Sequence, residues 1–414
     1  MLFFVLLSSR HTFEGSTVIL PDLTKTAPPL AGAGADVIDA LLEERMLGRD
    51  MLAGYAGLHG LGAADDDFAR WEIVAVERQF TRPVRNPESA RASQYWDHSG
   101  VIDLAFRKKS DGTLWLLDHK TAAPSRWSDI HNCLLMDRQV SGYWAAAREA
   151  LGEMPQGFLY NVLLKRPAPR APRIVAAKSK ADACPCGRDL LRDKAGKVKA
   201  HALSRATNQG TTGPLYRAAI AEHGLDPLAY ADVLAALDLD PPLRYDRVAL
   251  SRTPDEVAEW ERDFYETSRE MRTARPAMHV SALVCPRCEF LPLCLPGGDT
   301  PEARSNYRVS EVAHDELDDE SQEPRPGHEV LSNSRHACWR QCPRKHHLRY
   351  VDRLRPLSEH RALRFGVGIH EALALWYESE GTLDLAGAWD VWWAAEYERL
   401  TGGKPGERDI PVPF

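Results

Sequence analysis

This chain of 414 residues lacks several features, and each absence narrows what it can be. No stretch approaches the roughly twenty consecutive apolar residues that a helix needs to cross a bilayer, so no membrane span or membrane partner is expected. The opening Met-Leu-Phe-Phe-Val-Leu-Leu is too short for a span and has no basic flank. It reads as a strand or an irregular terminus, not as a secretory signal. Excess positive charge is missing as well: the formal net charge is −7, so the whole molecule has no polycationic character. Binding to a phosphate backbone would have to come from local basic surface. Two clusters offer it, Lys165, Arg166, Arg170 and Arg173, then Arg340, Arg344, Lys345 and Arg349. An acidic run from Glu311 to Glu323 lowers the average and reads as a solvated linker. Cysteine is sparse and uneven, with none before Cys133 and eight in all. The spacings look like metal ligation and not like a secreted disulfide set, which makes a reducing, cytoplasmic compartment the expectation.

What is present begins with ordinary soluble composition, 44% apolar and 27% charged, in a length that suits one large domain or two smaller ones. The most informative stretch runs from Gly100 to Tyr143. Gly-Val-Ile-Asp-Leu-Ala-Phe (100–106) and Thr-Leu-Trp-Leu-Leu-Asp-His-Lys-Thr (113–121) flank a polar turn containing Asp-Gly, which spells a β-hairpin. Alternation along a strand puts Asp118 and Lys120 on one face, and the hairpin can bring Asp103 beside them. Two carboxylates and a lysine in one pocket suit a hard divalent cation and a cationic group that steadies phosphate; a solvated surface hairpin is the plainer alternative. Further on, Gln139 and Tyr143 lie four apart and share a helix face.

Asp-x-Lys-Thr followed by Gln-x-x-x-Tyr resembles the RecB-like branch of the PD-(D/E)XK nuclease superfamily. That resemblance implies an α/β (α+β) fold, with a restriction-endonuclease-like core whose central mixed sheet is flanked by helices. It also implies that Asp103 and Asp118 hold metal, that Lys120 assists catalysis, and that Gln139 and Tyr143 position the nucleic-acid strand.

Elsewhere the pattern from Asp36 to Gly57 reads as an amphipathic helix, and Trp71 to Phe80 as a strand. Glu77 on that strand is either a further acid near the site or a salt-bridged surface residue. Gly157–Leu164 reads as a strand, 165–215 as a basic loop or insertion, and 215–237 and 254–273 as helical. Trp376, Trp389, Trp392 and Trp393 fall at helical spacing and are expected in the core. Cys184 and Cys186, as Cys-x-Cys, read as free thiols before a metal pair.

Cys285, Cys288 and Cys294 form Cys-x2-Cys-x5-Cys, enough to grip one metal centre but one thiolate short of a closed site. This trio is similar to that of the iron–sulfur subgroup of RecB-like nucleases, where the fourth cysteine lies far upstream. Here the matching segment lies downstream: Cys342-Pro-Arg-Lys345, then Gly366-Val-Gly-Ile-His370. The resemblance therefore implies a [4Fe-4S] cluster on Cys285, Cys288, Cys294 and Cys342, with Zn²⁺ as the competing occupant and Cys338 as a rival ligand. His370 would join Asp103 and Asp118 around Mg²⁺ or Mn²⁺. The expected organisation is 1–35 of unknown role, 36–298 as the family's back portion, 299–328 as an acidic linker, and 329–414 as its front portion. Circular permutation, complementation in trans within a homo-oligomer, and halves that never meet all fit this order. The implied activity is an exonuclease on single-stranded or end-containing DNA, with a non-catalytic nucleic-acid-binding protein as the alternative.

Overall fold

The structure, a computed structural model, describes residues 10–13, 16–19, 35–180, 191–192, 197–206, 210–239, 243–314, 317, 324–357 and 361–402. At its centre is a mixed sheet of six strands: β1 (Trp71–Arg85), β2 (Ala92–Lys108), β3 (Leu114–Ala122), β4 (Gly157–Leu164), β5 (Tyr245–Leu250) and β6 (Glu329–Leu331). The expected hairpin is β2–β3, antiparallel, with Leu104 opposite Leu117 at its far end. β3 then runs parallel to β4, and β4 antiparallel to β5. Along its other edge β2 pairs with β1.

The hairpin side of β2 is shared by two strands. β3 covers 104–107, and β6 covers 96–98 as a parallel partner. Between them β2 and β3 diverge, leaving a fork. Six helices of the sequence matter for what lines it: α1 (Ala35–His59), α2 (Arg138–Leu151), α3 (Pro254–Thr273), α4 (Asn333–Gln341), α5 (Arg361–Glu378) and α6 (Leu385–Thr401). One face of the sheet, with Leu104, Phe106, Leu117 and Leu163, packs under α1, α5 and α6. Trp376, Trp389, Trp392 and Trp393 are buried in that layer, as their spacing implied. The other face, with Leu116, Phe158 and Val162, packs under α2 through Val140, Tyr143 and Trp144.

α1 and α6 run antiparallel. The Trp389 indole donates to the Arg45 carbonyl at 2.9 Å, and that of Trp393 to the Leu41 carbonyl at 3.0 Å. The close approach requires a glycine at position 48, where a Cβ would run into the Trp389 ring. α3 begins with a capping box, Thr253 and Glu256 bonding reciprocally to each other's backbone, with Pro254 in the first turn.

The structure differs from the sequence expectation at three places. Within 165–215, Ile174–Lys180, Leu191–Arg192 and Val198–Leu203 form a small antiparallel sheet, so these described parts of the insertion are strands and not a loop. Its strands carry lysine, alanine and histidine among few β-branched residues and are closely flanked by proline and serine, so they do not announce themselves locally. The helical pattern over 215–237 is two helices, Gly213–Glu222 and Ala231–Leu239. They are broken where Gly224 takes a positive φ and Asp226 caps the turn beginning at Pro227. Within 299–328, Tyr307–Val309 pairs with Leu354–Pro356, and Arg325 forks onto buried Asp97, so the described parts of this linker are bound to the fold. Residues 1–9, Cys184 and Cys186 lie outside the described residues.

Candidate active site and cysteine pocket

Asp103 and Asp118 are the first residues beyond the last β2–β3 pair, so the two carboxylates stand at the mouth of the fork. Both are buried, 8% and 2% exposed. Asp103 Oδ2 accepts a hydrogen bond from the His119 backbone at 2.9 Å and lies 3.3 Å from His370 Nδ1 on α5. Residues from the two distant blocks thus meet within one chain. On the α2 side, Lys120 Nζ is 2.6 Å from Asp118 Oδ2 and donates to Gln139 Oε1 at 3.4 Å. Gln139 in turn donates to the Tyr143 hydroxyl at 2.5 Å, so the predicted Gln/Tyr face adjoins the lysine.

Asp137 sets up this arrangement. It caps α2 through the Gln139 backbone N–H at 2.9 Å and accepts from the Tyr160 hydroxyl at 2.7 Å. Tyr160, a residue the sequence reading passed over, presents its ring to Lys120 at 5.6 Å.

Glu77, which the sequence left between a further acid near the site and a salt-bridged surface residue, lies beside the site. On β1 it faces the Asp103 position, and its φ of 45° is a left-handed conformation in mid-strand. Ligand atoms of Glu77, Asp103 and His370 all lie within 4.8 Å of one another. The sequence signal was only an acid on a predicted strand, spelled the same as any salt-bridged surface glutamate.

These groups crowd negative charge. Burial raises the Asp118 pKa to about 6; Lys120 and His370 oppose the shift and Asp103 adds to it. Desolvation, then Asp103, Glu371 and Asp118, push the partly open Glu77 carboxyl up to about 9. Burial pulls the Lys120 ammonium down, but Asp118 and Asp103 outweigh it and the net shift is upward, so the lysine stays charged. Three carboxylates, an imidazole and one lysine make a pocket short of positive charge, with oxygen and nitrogen donors that fit a hard or borderline divalent cation.

The second site is a pocket lined by Cys285, Cys288, Cys294 and Cys342, with His279 and Lys345. Backbone N–H groups point at two of the sulfurs, His279 to Cys342 at 3.5 Å and Ser281 to Cys285 at 3.3 Å. Cys342 enters it from the end of α4, where Pro343 starts the next helical turn. Cys338 is buried and does not line the pocket. Among the described residues, no three cysteine sulfurs lie within 4.8 Å of one another. The six described cysteines are free thiols.

The sequence model of a family described as the PD-(D/E)XK nuclease superfamily matches residues 32–295 and 330–406. Those ranges contain β1 to β6 apart from Glu329, both aspartates, Lys120, His370 and all four pocket cysteines. No curated protein and no solved structure matches the chain.

Proposed function

Since this chain belongs to the PD-(D/E)XK nuclease superfamily, we propose that it is a metal-dependent DNA nuclease of the RecB-like, iron–sulfur branch with its fold segments in permuted order. The observation that carries the reading is the 3.3 Å approach of His370 Nδ1 to Asp103 Oδ2 in one chain. It favours catalysis over a binding protein whose halves stay apart, and no partner chain is needed to bring these two groups together.

Asp103, Asp118 and His370 would hold the cation, with Glu77 adjacent. A bound Mg²⁺ or Mn²⁺ would supply charge stabilisation at the scissile phosphate and acidify a water. The protein's own groups do the rest. Lys120, kept protonated by its two aspartates, offsets charge that develops on phosphate and orients the attacking water. Gln139 and Tyr143, fixed by the Asp137 cap, hold the strand beside it. Little in the sequence suggests base-specific reading, so the substrate is taken as single-stranded or end-containing DNA and the mode as exonucleolytic.

The four pocket cysteines would hold an iron–sulfur cluster, with zinc, which also takes four thiolates, as the competing occupant that a brown colour would rule out. The cluster would tie α4 to the Cys285–Cys294 segment as a structural staple.

The test uses anaerobically purified protein, labelled linear and circular single-stranded and duplex DNA, and Mg²⁺ or Mn²⁺. Metal-dependent degradation of linear single strands is expected, lost by at least a hundredfold in Lys120→Ala, with circles spared. Absence of cleavage by a folded, brown wild-type protein would overturn the enzymatic reading. In the same preparations Cys342→Ser is expected to be colourless and Cys338→Ser brown; the reverse result would reassign the fourth ligand.

A further inference from the structure

Resting on the nuclease reading above, we infer that His119 is a positioning residue that fixes both sides of the cation pocket from beneath. His119 stands between Asp118 and Lys120 on β3, but its side chain goes to the opposite face of the sheet, under α5. There the imidazole, 2% exposed, lies edge-on to the His370 ring at 5.8 Å and stacked on Tyr377 at 5.8 Å. His370 and Tyr377 are two turns apart on α5, so the His119 ring fits between them on one helix face. The same residue's backbone N–H donates to Asp103 Oδ2, the oxygen nearest His370. One residue therefore touches the carboxylate and the imidazole that would share the metal.

Its ring is held by a chain of hydrogen bonds that crosses three strands. Asn161 lies beside His119 in the β3–β4 register, and Arg247 beside Asn161 in the β4–β5 register. The Asn161 amide donates to His119 Nδ1 at 2.8 Å, which puts the ring proton on Nε2. Arg247 Nε donates to Asn161 Oδ1 at 3.4 Å, and its guanidinium forks onto buried Asp67 at 2.7 and 2.6 Å. Asp67 also accepts from the Tyr377 hydroxyl at 2.8 Å, which returns the chain to the helix that carries His370.

This is a closed circuit, His119 to Asn161 to Arg247 to Asp67 to Tyr377 and, by stacking, back to His119. Apolar residues would fill this layer between sheet and helix at lower desolvation cost. What an apolar core would not give is a fixed rotation of the His370 ring and a fixed Asp103 carboxylate. Partners behind metal ligands commonly govern affinity by about 10- to 100-fold.

The experiment measures Mn²⁺ binding by electron paramagnetic resonance on full-length, cluster-loaded protein, independent of cleavage. Wild type, His119→Ala, Asn161→Leu and Leu373→Ala are compared, each with its melting temperature. Leu373 is fully buried on α5 between His370 and Tyr377, outside the polar circuit, and reports generic loosening of the helix. His119→Ala is expected to weaken Mn²⁺ at least tenfold, and Asn161→Leu in the same direction by less. Leu373→Ala should keep wild-type affinity despite lower stability. Should His119→Ala fail to fold, Asn161→Leu carries the comparison. Wild-type affinity in a folded His119→Ala or Asn161→Leu protein would overturn the inference, as would an equal loss in Leu373→Ala. A wild-type protein with no Mn²⁺ site would instead overturn the nuclease reading, and this inference with it.

Discussion

Glu77 holds a left-handed φ in the middle of a strand, where a glutamate pays strain for no packing gain. Glu77 is an exposed residue whose carboxyl faces Asp103, Glu371 and Asp118, and desolvation at that carboxyl with those charges raises its pKa to about 9 from 4.5. An acid whose folded pKa lies above its unfolded one stabilises the fold fully below the unfolded value. It loses that contribution as pH climbs through the folded value. Metal-free protein should therefore lose stability between about pH 4.5 and pH 9. Glu77→Gln should melt a few degrees higher than wild type at pH 8 in chelator and show a flatter pH profile. Added Mg²⁺ should stabilise wild type more than the variant, since it answers charge that the glutamine lacks. Thermal melts across that pH range, with and without metal, check all three. An unchanged profile in the variant would show that the strain at this position serves the backbone alone. The sequence showed this residue but not its weight. Left-handed strain and three converging acids come from tertiary placement, which a strand-like run of eight or ten letters does not encode.

At the scale of elements, α5 carries two glycines with different duties. A Cβ at Gly368 would run into the Trp392 ring of α6, whereas one at Gly366 would meet only Thr121 Oγ1 at 3.6 Å, an ordinary contact. Gly368→Ala is expected to cost about 1–3 kcal/mol by overpacking. Gly366→Ala should be neutral or slightly stabilising, because alanine favours a helix over glycine by about 1 kcal/mol. Chemical denaturation separates them, and a severe loss at Gly366 would contradict this packing. Should Gly366→Ala fold well yet cleave poorly, the open space above Thr121 is room for substrate. The hairpin, α1, α2, α3 and β4 were all legible because each carries its period and its turn or cap residues locally. The fork was not. It exists because β6, three residues long and far away in sequence, pairs in parallel with β2 beyond the reach of β3. The Cys pocket sits between: spacing named Cys285, Cys288 and Cys294, the family resemblance of Cys-Pro-Arg-Lys supplied Cys342, and their convergence needed the fold.

For the whole molecule, the antiparallel α1–α6 pair sets the end of α6 beside the start of α1, since Trp393 reaches Leu41 and Trp389 reaches Arg45. Our proposal of permuted order makes a specific demand here. A rearranged chain that starts at 324, runs to 402, and continues through a short flexible linker into residue 35, ending near 314, should fold. It should melt within a few degrees of the original, load its cluster and show the same metal-dependent cleavage. A rearranged chain that only aggregates would argue against the permuted order, or show that the omitted segments 1–34, 315–323 and 403–414 are needed for folding. The meeting of His370 with Asp103 also has a consequence for how the protein is made. Chains emerge from the ribosome amino end first and begin to fold as they appear. Both aspartates and the lysine are out long before α5 exists, and Cys285, Cys288 and Cys294 precede Cys342. In the proposed arrangement neither site is complete before Cys342 and His370 have been made, so a product stalled ahead of Cys342 would lack a ligand of each and is expected to be inactive.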